Sequence, residues 1–157
     1  MAKEIERKFL VIGAEWKHGA SGVSYRQGYL STVKERTVRV RTAGNKGFLT
    51  IKGVMVGVTR NEFEYPIPAA DANAMMDQLC ERPLIEKIRY KISHAGLMWE
   101  IDEFFGENIG LVVAEVELQD EQQVIDRPSW VGLEVSGDPR YFNSNLTKMP
   151  YARWKPL

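Results

Sequence analysis

Charged and apolar residues alternate with a period of two along most of this chain. Glu4, Glu6 and Lys8 alternate with Ile5 and Phe9, Arg39 and Arg41 with Val38 and Val40, and Thr50 and Lys52 with Leu49 and Ile51. Glu62 and Glu64 alternate with Phe63 and Tyr65, and Lys87 and Arg89 with Ile88 and Tyr90. Glu100 and Asp102 flank Ile101, and Glu115 and Glu117 flank Val116. Successive side chains of a strand point to opposite faces, so each segment has one ionic and one apolar face. The pattern predicts strands over 3–12, 23–30, 36–43, 47–54, 60–67, 85–93, 97–104 and 112–118. Turn residues at 43–47, 53–57 and 94–96 join three neighbouring pairs, and links this short make antiparallel hairpins. The period changes over 69–81, where Asp71 is placed to cap a helix and Met75, Met76, Leu79 and Cys80 form its apolar stripe. Shorter helices are expected at 121–126 and 138–148. The segment 149–157, with Tyr151 and Trp154, packs over one end of the fold or lies loose.

Two architectures accommodate these strands. One is an antiparallel sheet with a wet and a dry face, which is common. The other is a closed barrel with the ionic face inside and the apolar face outside under the helices; about eight strands suffice for an interior that holds side chains or one small ligand. The near-absence of neutral polar residues from the ionic faces, and the segregation of sign strand by strand, favour the barrel. Like charges about 4 Å apart repel by roughly 4 kcal/mol at an effective dielectric near 20. A lumen crowded with Glu4, Glu6, Glu62, Glu64, Glu100, Asp102, Glu115 and Glu117 therefore needs partners. Lys8, Arg39, Arg41, Lys52, Lys87 and Arg89 supply part of the compensation, and a divalent cation on the carboxylates would supply more. Hard cations take oxygen ligands and commonly share them with substrate phosphates. Arginine forks and lysine ammoniums provide the phosphate-binding half.

Composition sharpens the picture only a little. At 157 residues the chain makes one domain, 1–157, with a sizeable core. Lys plus Arg equals Asp plus Glu at 21 each, so no net field favours nucleic acid or a membrane surface. The single Cys80, the charged opening segment and the lack of a long apolar run point to a cytoplasmic protein without disulfides. Self-association as a homodimer stays open. His18 and His94 fall in turns, and Trp16, Trp99, Trp130 and Trp154 are expected on the outer wall.

The segment Glu4-Ile5-Glu6-Arg7-Lys8-Phe9-Leu10-Val11 resembles the E-x-E-x-K signature of CYTH proteins, also called triphosphate tunnel metalloenzymes. Arg26-Gln27-Gly28-Tyr29-Leu30, Val38–Arg41, Leu49–Lys52, Asn61–Tyr65, Glu86–Tyr90, Trp99–Phe104, Ala114–Glu117 and Glu134–Leu146 follow in the family's order. The resemblance implies an α+β, mainly β fold: an eight-stranded antiparallel tunnel with an ionic interior, binding a triphosphate with Mg²⁺ or Mn²⁺. Carried onto this chain, it implies Glu4, Glu6 and Glu117, with Glu115, as metal ligands, and Lys8, Arg39, Arg41, Lys52, Lys87 and Arg89 as the phosphate grip. Glu62, Glu64, Glu100 and Asp102 would support those cations, and Tyr29 would contact substrate or the barrel wall. Short bacterial members with this opening are similar to inorganic tripolyphosphatases; class IV adenylyl cyclases, thiamine or nucleoside triphosphatases and a non-catalytic triphosphate-binding module are the alternatives. For hydrolysis, Lys87 or Lys8 would align or accept a proton from the attacking water, because a lysine crowded by cations can have a lowered pKa. Glu115 is the carboxylate candidate for orienting that water.

Overall fold

The computed structural model describes residues 3–154. Its strands are β1 (Lys3–Val11), β2 (Gly22–Ser31), β3 (Arg36–Ala43), β4 (Lys46–Gly53), β5 (Thr59–Ile67), β6 (Ile85–His94), β7 (Leu97–Phe104), β8 (Val112–Glu117) and β9 (Val131–Glu134). Eight of these close into an antiparallel barrel in the order β5-β4-β3-β2-β6-β7-β8-β1, with β1 meeting β5 again. The hairpins fall where the turn residues predict. Ala95 and Gly96, between β6 and β7, both have positive φ (49° and 81°), the backbone of a two-residue turn whose twist matches the strands.

β1 is the junction of the molecule. One edge pairs with β8, Glu6 opposite Glu117 and Lys8 opposite Glu115. The other edge pairs with β5 through three residues only, Lys3–Ile5 against Thr59–Asn61. It then passes to β9, where Phe9 faces Glu134 and Val11 faces Val131. β9 is a strand the alternation does not predict: four residues with Gly132 among them carry no clear period.

The apolar faces point outward and are covered unequally. Phe9, Trp16, Tyr90, Trp99, Ile101 and Val116 make one buried cluster, with Trp130 against the Trp99 ring at 5.6 Å. Helix α1 (Ala69–Gln78) lays Ala72 and Met76, with Cys80 just beyond, on Val40 of β3. Outward-facing Arg26 of β2 holds Asp77 of that helix at 2.7 Å. α1 reaches only one end of the outer β4–β5 face, at Gly47, Leu49 and Ile67, so Ile51, Phe63 and Tyr65 are exposed beyond it, contrary to the expectation of a fully clad barrel.

The helices depart from expectation for local reasons. α1 begins at Ala69 as predicted, but Pro68 holds the cap position and Asp71 sits in the first turn without a capping bond. It stops at Gln78, since the chain turns so that the Glu81 N–H reaches Tyr29 O at 2.9 Å; Leu79 is left exposed and the stripe is narrower than predicted. The 121–126 helix does not form. Asp120 Oδ1 accepts from Gln122 N–H at 2.7 Å and Gln123 Oε1 from Gln119 N–H at 2.8 Å, local bonds that compete with helix geometry. The 138–148 helix splits at extended Phe142 into a 3₁₀ turn (Pro139–Tyr141) and α2 (Asn143–Lys148), a break that lets Tyr141 and Leu146 both enter the core. Trp154 does not cover the wall. It stacks edgewise on Tyr141 and Tyr151 at the barrel's end, at 5.1 and 4.9 Å, while 155–157 of the predicted tail lie outside the described residues. Among the described residues no helix is long and apolar enough to cross a membrane.

Candidate active site

Strand register decides what faces the lumen. Arg39 lies opposite Thr50 and Thr37 opposite Lys52 across β3–β4; Lys52 lies opposite Glu62 and Thr50 opposite Glu64 across β4–β5. Arg89 faces Asp102 across β6–β7, and Glu100 faces Glu115 across β7–β8. The ionic faces of seven barrel strands thus meet in one channel, to which β2 adds Tyr25 and Tyr29. It has a tight inner chamber, about 30 Å³, lined by Glu6, Lys8, Tyr29, Arg39, Lys52, Lys87, Arg89 and Glu115. A wide mouth of about 430 Å³ adds Glu4, Arg41, Glu62, Glu64, Glu100 and Glu117. Every predicted site residue but Asp102 lines one or the other. Asp102 is wholly buried behind the cations: it accepts two bonds from the Arg89 guanidinium (2.8 and 2.9 Å) and one from Lys87 Nζ (2.8 Å).

The cations are held at different tensions. Lys52 Nζ donates to both oxygens of Glu4, at 3.0 and 3.1 Å, and stands 3.2 Å from Glu62. Lys8 Nζ donates to Tyr141 O at 2.9 Å and lies 3.4 Å from Glu115. Arg41 rests 5.1 Å over the Tyr25 ring and meets Glu64 at 3.3 Å; burial, then the neighbouring Arg39, lower its pKa. The Nε–H groups of Arg39, Arg41 and Arg60 are buried without a protein acceptor. Lys87 is the most confined: burial lowers its pKa to about 8, with Asp102 opposing and Arg89 adding to the shift. Burial rather than cation crowding is thus the main cause. Its ammonium also reaches Asn143 Oδ1 at 3.2 Å, an oxygen that accepts from Gln27 Nε2 at 2.9 Å as well.

The carboxylates divide in the same way. Burial alone would raise Glu115, but Lys8 and Arg89 overcome it and hold its carboxyl well below the usual range. Glu4, also against the pull of burial, is lowered by Lys52. Glu6 makes no ion pair among the described residues, and the more distant Lys52 and Lys8 offset its burial only in part. Burial, with Glu115 and Glu4 beside it, pushes its carboxyl well up. Glu117 opposite is raised by burial, then by Glu4 and Glu100. Among the described residues no three acidic, imidazole or thiol side chains stand together as a ready-made metal cage. Glu4 and Glu115 are engaged by lysines, which leaves Glu6 and Glu117 as the pair short of positive charge. An all-oxygen donor set of one or two carboxylates, completed by water and phosphate oxygens, suits Mg²⁺-like cations. The residues fit such an ion on those terms.

Alternation also carried a residue the opening motifs do not flag. Arg60 shares parity with Glu62 and Glu64, lines the inner chamber and approaches Glu4 at 3.5 Å. Thr37, Tyr25 and Thr50 face inward by the same rule; Thr50 Oγ1 donates to Glu64 at 2.7 Å. Phe142, Asn143 and Ser144 close the chamber from the segment 142–144, which no period could have pointed inward.

A CYTH domain profile matches residues 2–150. The chain is 55% identical over 155 residues, 99% of each protein, to an inorganic triphosphatase of Acetivibrio thermocellus. It superposes with a TM-score of 0.66 on a solved inorganic triphosphatase at 32% identity, covering 91% of this chain and 96% of the other. A conserved hypothetical protein from Pyrococcus furiosus, 19% identical, shares the fold with a TM-score of 0.60 over 76% of this chain and 80% of that one.

Proposed function

This chain belongs to the CYTH domain family, and on that premise we propose that it is a metal-dependent triphosphatase, hydrolysing inorganic tripolyphosphate to pyrophosphate and phosphate. The observation that carries this reading is a pair of unmet demands in one lumen. Among the described residues three buried arginine Nε–H groups lack an acceptor, and the Glu6 carboxyl is left without an ion-pair partner. A polyphosphate accompanied by a divalent cation answers both. The kinship with an inorganic triphosphatase supports the same substrate. The two aromatic rings lining the mouth already carry arginines, Tyr25 with Arg41 and Arg89 at 5.1 and 4.9 Å and Phe48 with Arg41 at 5.7 Å, which favours a naked polyphosphate over a nucleotide.

Mg²⁺ or Mn²⁺, when held by Glu6 and Glu117 beside Glu4 and Glu115, would neutralise charge on the phosphate oxygens. The chain's own cations do the remaining electrostatic work. Lys8, Arg39, Arg41, Lys52 and Arg89 hold the phosphate chain and stabilise charge gathering on the leaving oxygen. Glu62, Glu64 and Glu100 keep those cations in place by the pairs they make with Lys52, Arg41 and Arg89. Lys87, with a pKa of about 8 and its ammonium fixed by Asp102 and Asn143, is the group that takes a proton from the attacking water once it is neutral. Glu115, ionised at the chamber wall, helps orient that water, and Tyr29 borders the same space.

Phosphate release tests the reading directly. With Mg²⁺ or Mn²⁺, tripolyphosphate should outrun pyrophosphate, ATP and thiamine triphosphate, EDTA should abolish turnover, and the rate should climb as pH crosses about 8. Release that survives EDTA, or that is fastest on ATP, overturns it.

A further inference from the structure

A second cavity adjoins the inner chamber at the end opposite the carboxylate mouth, behind the wall that 142–144 build. β3 shows the polarity: Arg41 and Ala43 line the mouth, whereas Thr37 lines a vestibule of about 530 Å³ at the other end. Thr37, Arg60, Phe142 and Ser144 belong to both the inner chamber and this vestibule, so the two spaces share a wall. Their charges are opposite in character. Seven glutamates line the mouth, interleaved with cations. Among the described residues the vestibule's charged lining groups are Lys34, Arg60 and Lys148. The neighbouring carboxylates lie outside that lining: Glu81 accepts from Thr32 Oγ1 at 3.2 Å, and Glu121 from Val58 N–H and Thr59 Oγ1, both at 3.0 Å. Lys148 Nζ spends one donor on Thr32 O at 3.2 Å, and Lys34 makes no ion pair among the described residues. Arg60 Nε has no acceptor, and its distance to Glu4 is 3.5 Å.

A phosphate released in the tight chamber meets a lining rich in glutamates on one side and, on the other, a lining whose charged side chains are cationic. Low-dielectric walls concentrate the field of these charges along the channel. We propose that the rear vestibule binds free orthophosphate through Lys34, Arg60, Lys148 and the Ser144 hydroxyl, and is the portal by which this product leaves. The role as a portal rests on the triphosphatase reading; the phosphate site itself does not.

Met55 lines the vestibule, so its methyl group reports occupancy there. The full chain, labelled with ¹³C on the methionine methyls and assigned through Met55→Leu, is titrated with orthophosphate in EDTA. The Met55 signal should shift saturably, and Lys34→Gln with Lys148→Gln should weaken that binding by about fivefold or more, as expected for losing two charge-assisted contacts. Lys34→Glu with Lys148→Glu should abolish it. In metal-supported turnover the double Gln variant should keep its single-turnover cleavage rate while steady-state kcat falls. A Met55 signal that does not move, or an affinity unchanged in both variants, overturns the proposal. A signal moved by tripolyphosphate but not by orthophosphate also overturns it, since the vestibule would then hold the substrate's end. Saturable phosphate binding in a chain that does not cleave tripolyphosphate would sink the triphosphatase reading and the portal, leaving the phosphate site in place.

Discussion

Glu4 and Glu6 are two residues apart on one face of β1, yet their environments are opposed. Glu4 is lowered by Lys52 against the pull of burial, whereas Glu6 is raised by burial and by Glu115 and Glu4. The sign of their pH dependence follows. Folding makes Glu6 hold its proton above the ordinary carboxylate pKa of 4.5, so between that pH and its raised value the native state binds more protons than the unfolded one. Stability from this group is full below 4.5 and falls as pH rises through the window. Glu6→Gln should therefore remove that slope and leave the ligand-free protein as stable or more so at neutral pH, while abolishing turnover. Glu4→Gln should abolish turnover and also cost about 2 kcal/mol by stripping Lys52 of its buried partner. Urea melts of both variants at pH 4.5 and 7.5 distinguish them; equal losses would sink the division. The inward-facing charges were legible from parity alone, and so was Arg60 once Glu62 and Glu64 were placed. The difference between Glu4 and Glu6 was not, because it depends on which strand lies beside each oxygen.

The elements were legible wherever a period lasted. Each barrel strand lies within two residues of where alternation put it, because one-sided burial pins register. β9, the break at Phe142 before α2 and the turns over 119–126 were illegible for the converse reason: they are short, and side-chain bonds such as those of Asp120 and Gln123 decide local shape. Packing between elements shows most sharply at Gly28 of β2. A Cβ there would stand 2.7 Å from Leu84 Cδ2 and 2.8 Å from Cys80 Cβ, so β2 passes against the end of α1 with no room for a methyl group. Gly28→Ala should destabilise by about 1–3 kcal/mol through overpacking. That corresponds to a thermal midpoint lower by roughly 3–10 °C for a domain of this size. A midpoint within 1 °C of wild type would show that the contact yields freely.

Across the whole molecule the arrangement inverts an ordinary small barrel: the apolar residues make the outer skin and the charges fill the axis. A ligand that completes those charges should act on the entire hoop of strands. Tripolyphosphate with Mg²⁺ at about a hundred times its dissociation constant should stabilise by about 2.7 kcal/mol. The midpoint should then rise by roughly 5–10 °C. Either component alone should give a smaller shift, and sodium chloride at matched ionic strength none. Equal protection by salt would mean general screening rather than a bound complex. The closed barrel and its charged axis could be inferred from the sequence; the half-covered β4–β5 wall, the unlike cavities at the two ends and the partition built by 142–144 depend on how the circuit closes. That circuit also sets the order in which the protein can be made. β1 leaves the ribosome long before β8, β9 and the segment whose Tyr141 carbonyl receives the Lys8 ammonium. Contacts so distant along the chain form late. The earliest strand therefore emerges with its charges unmatched and waits for the latest, so this tunnel is assembled only after synthesis has passed its final strands.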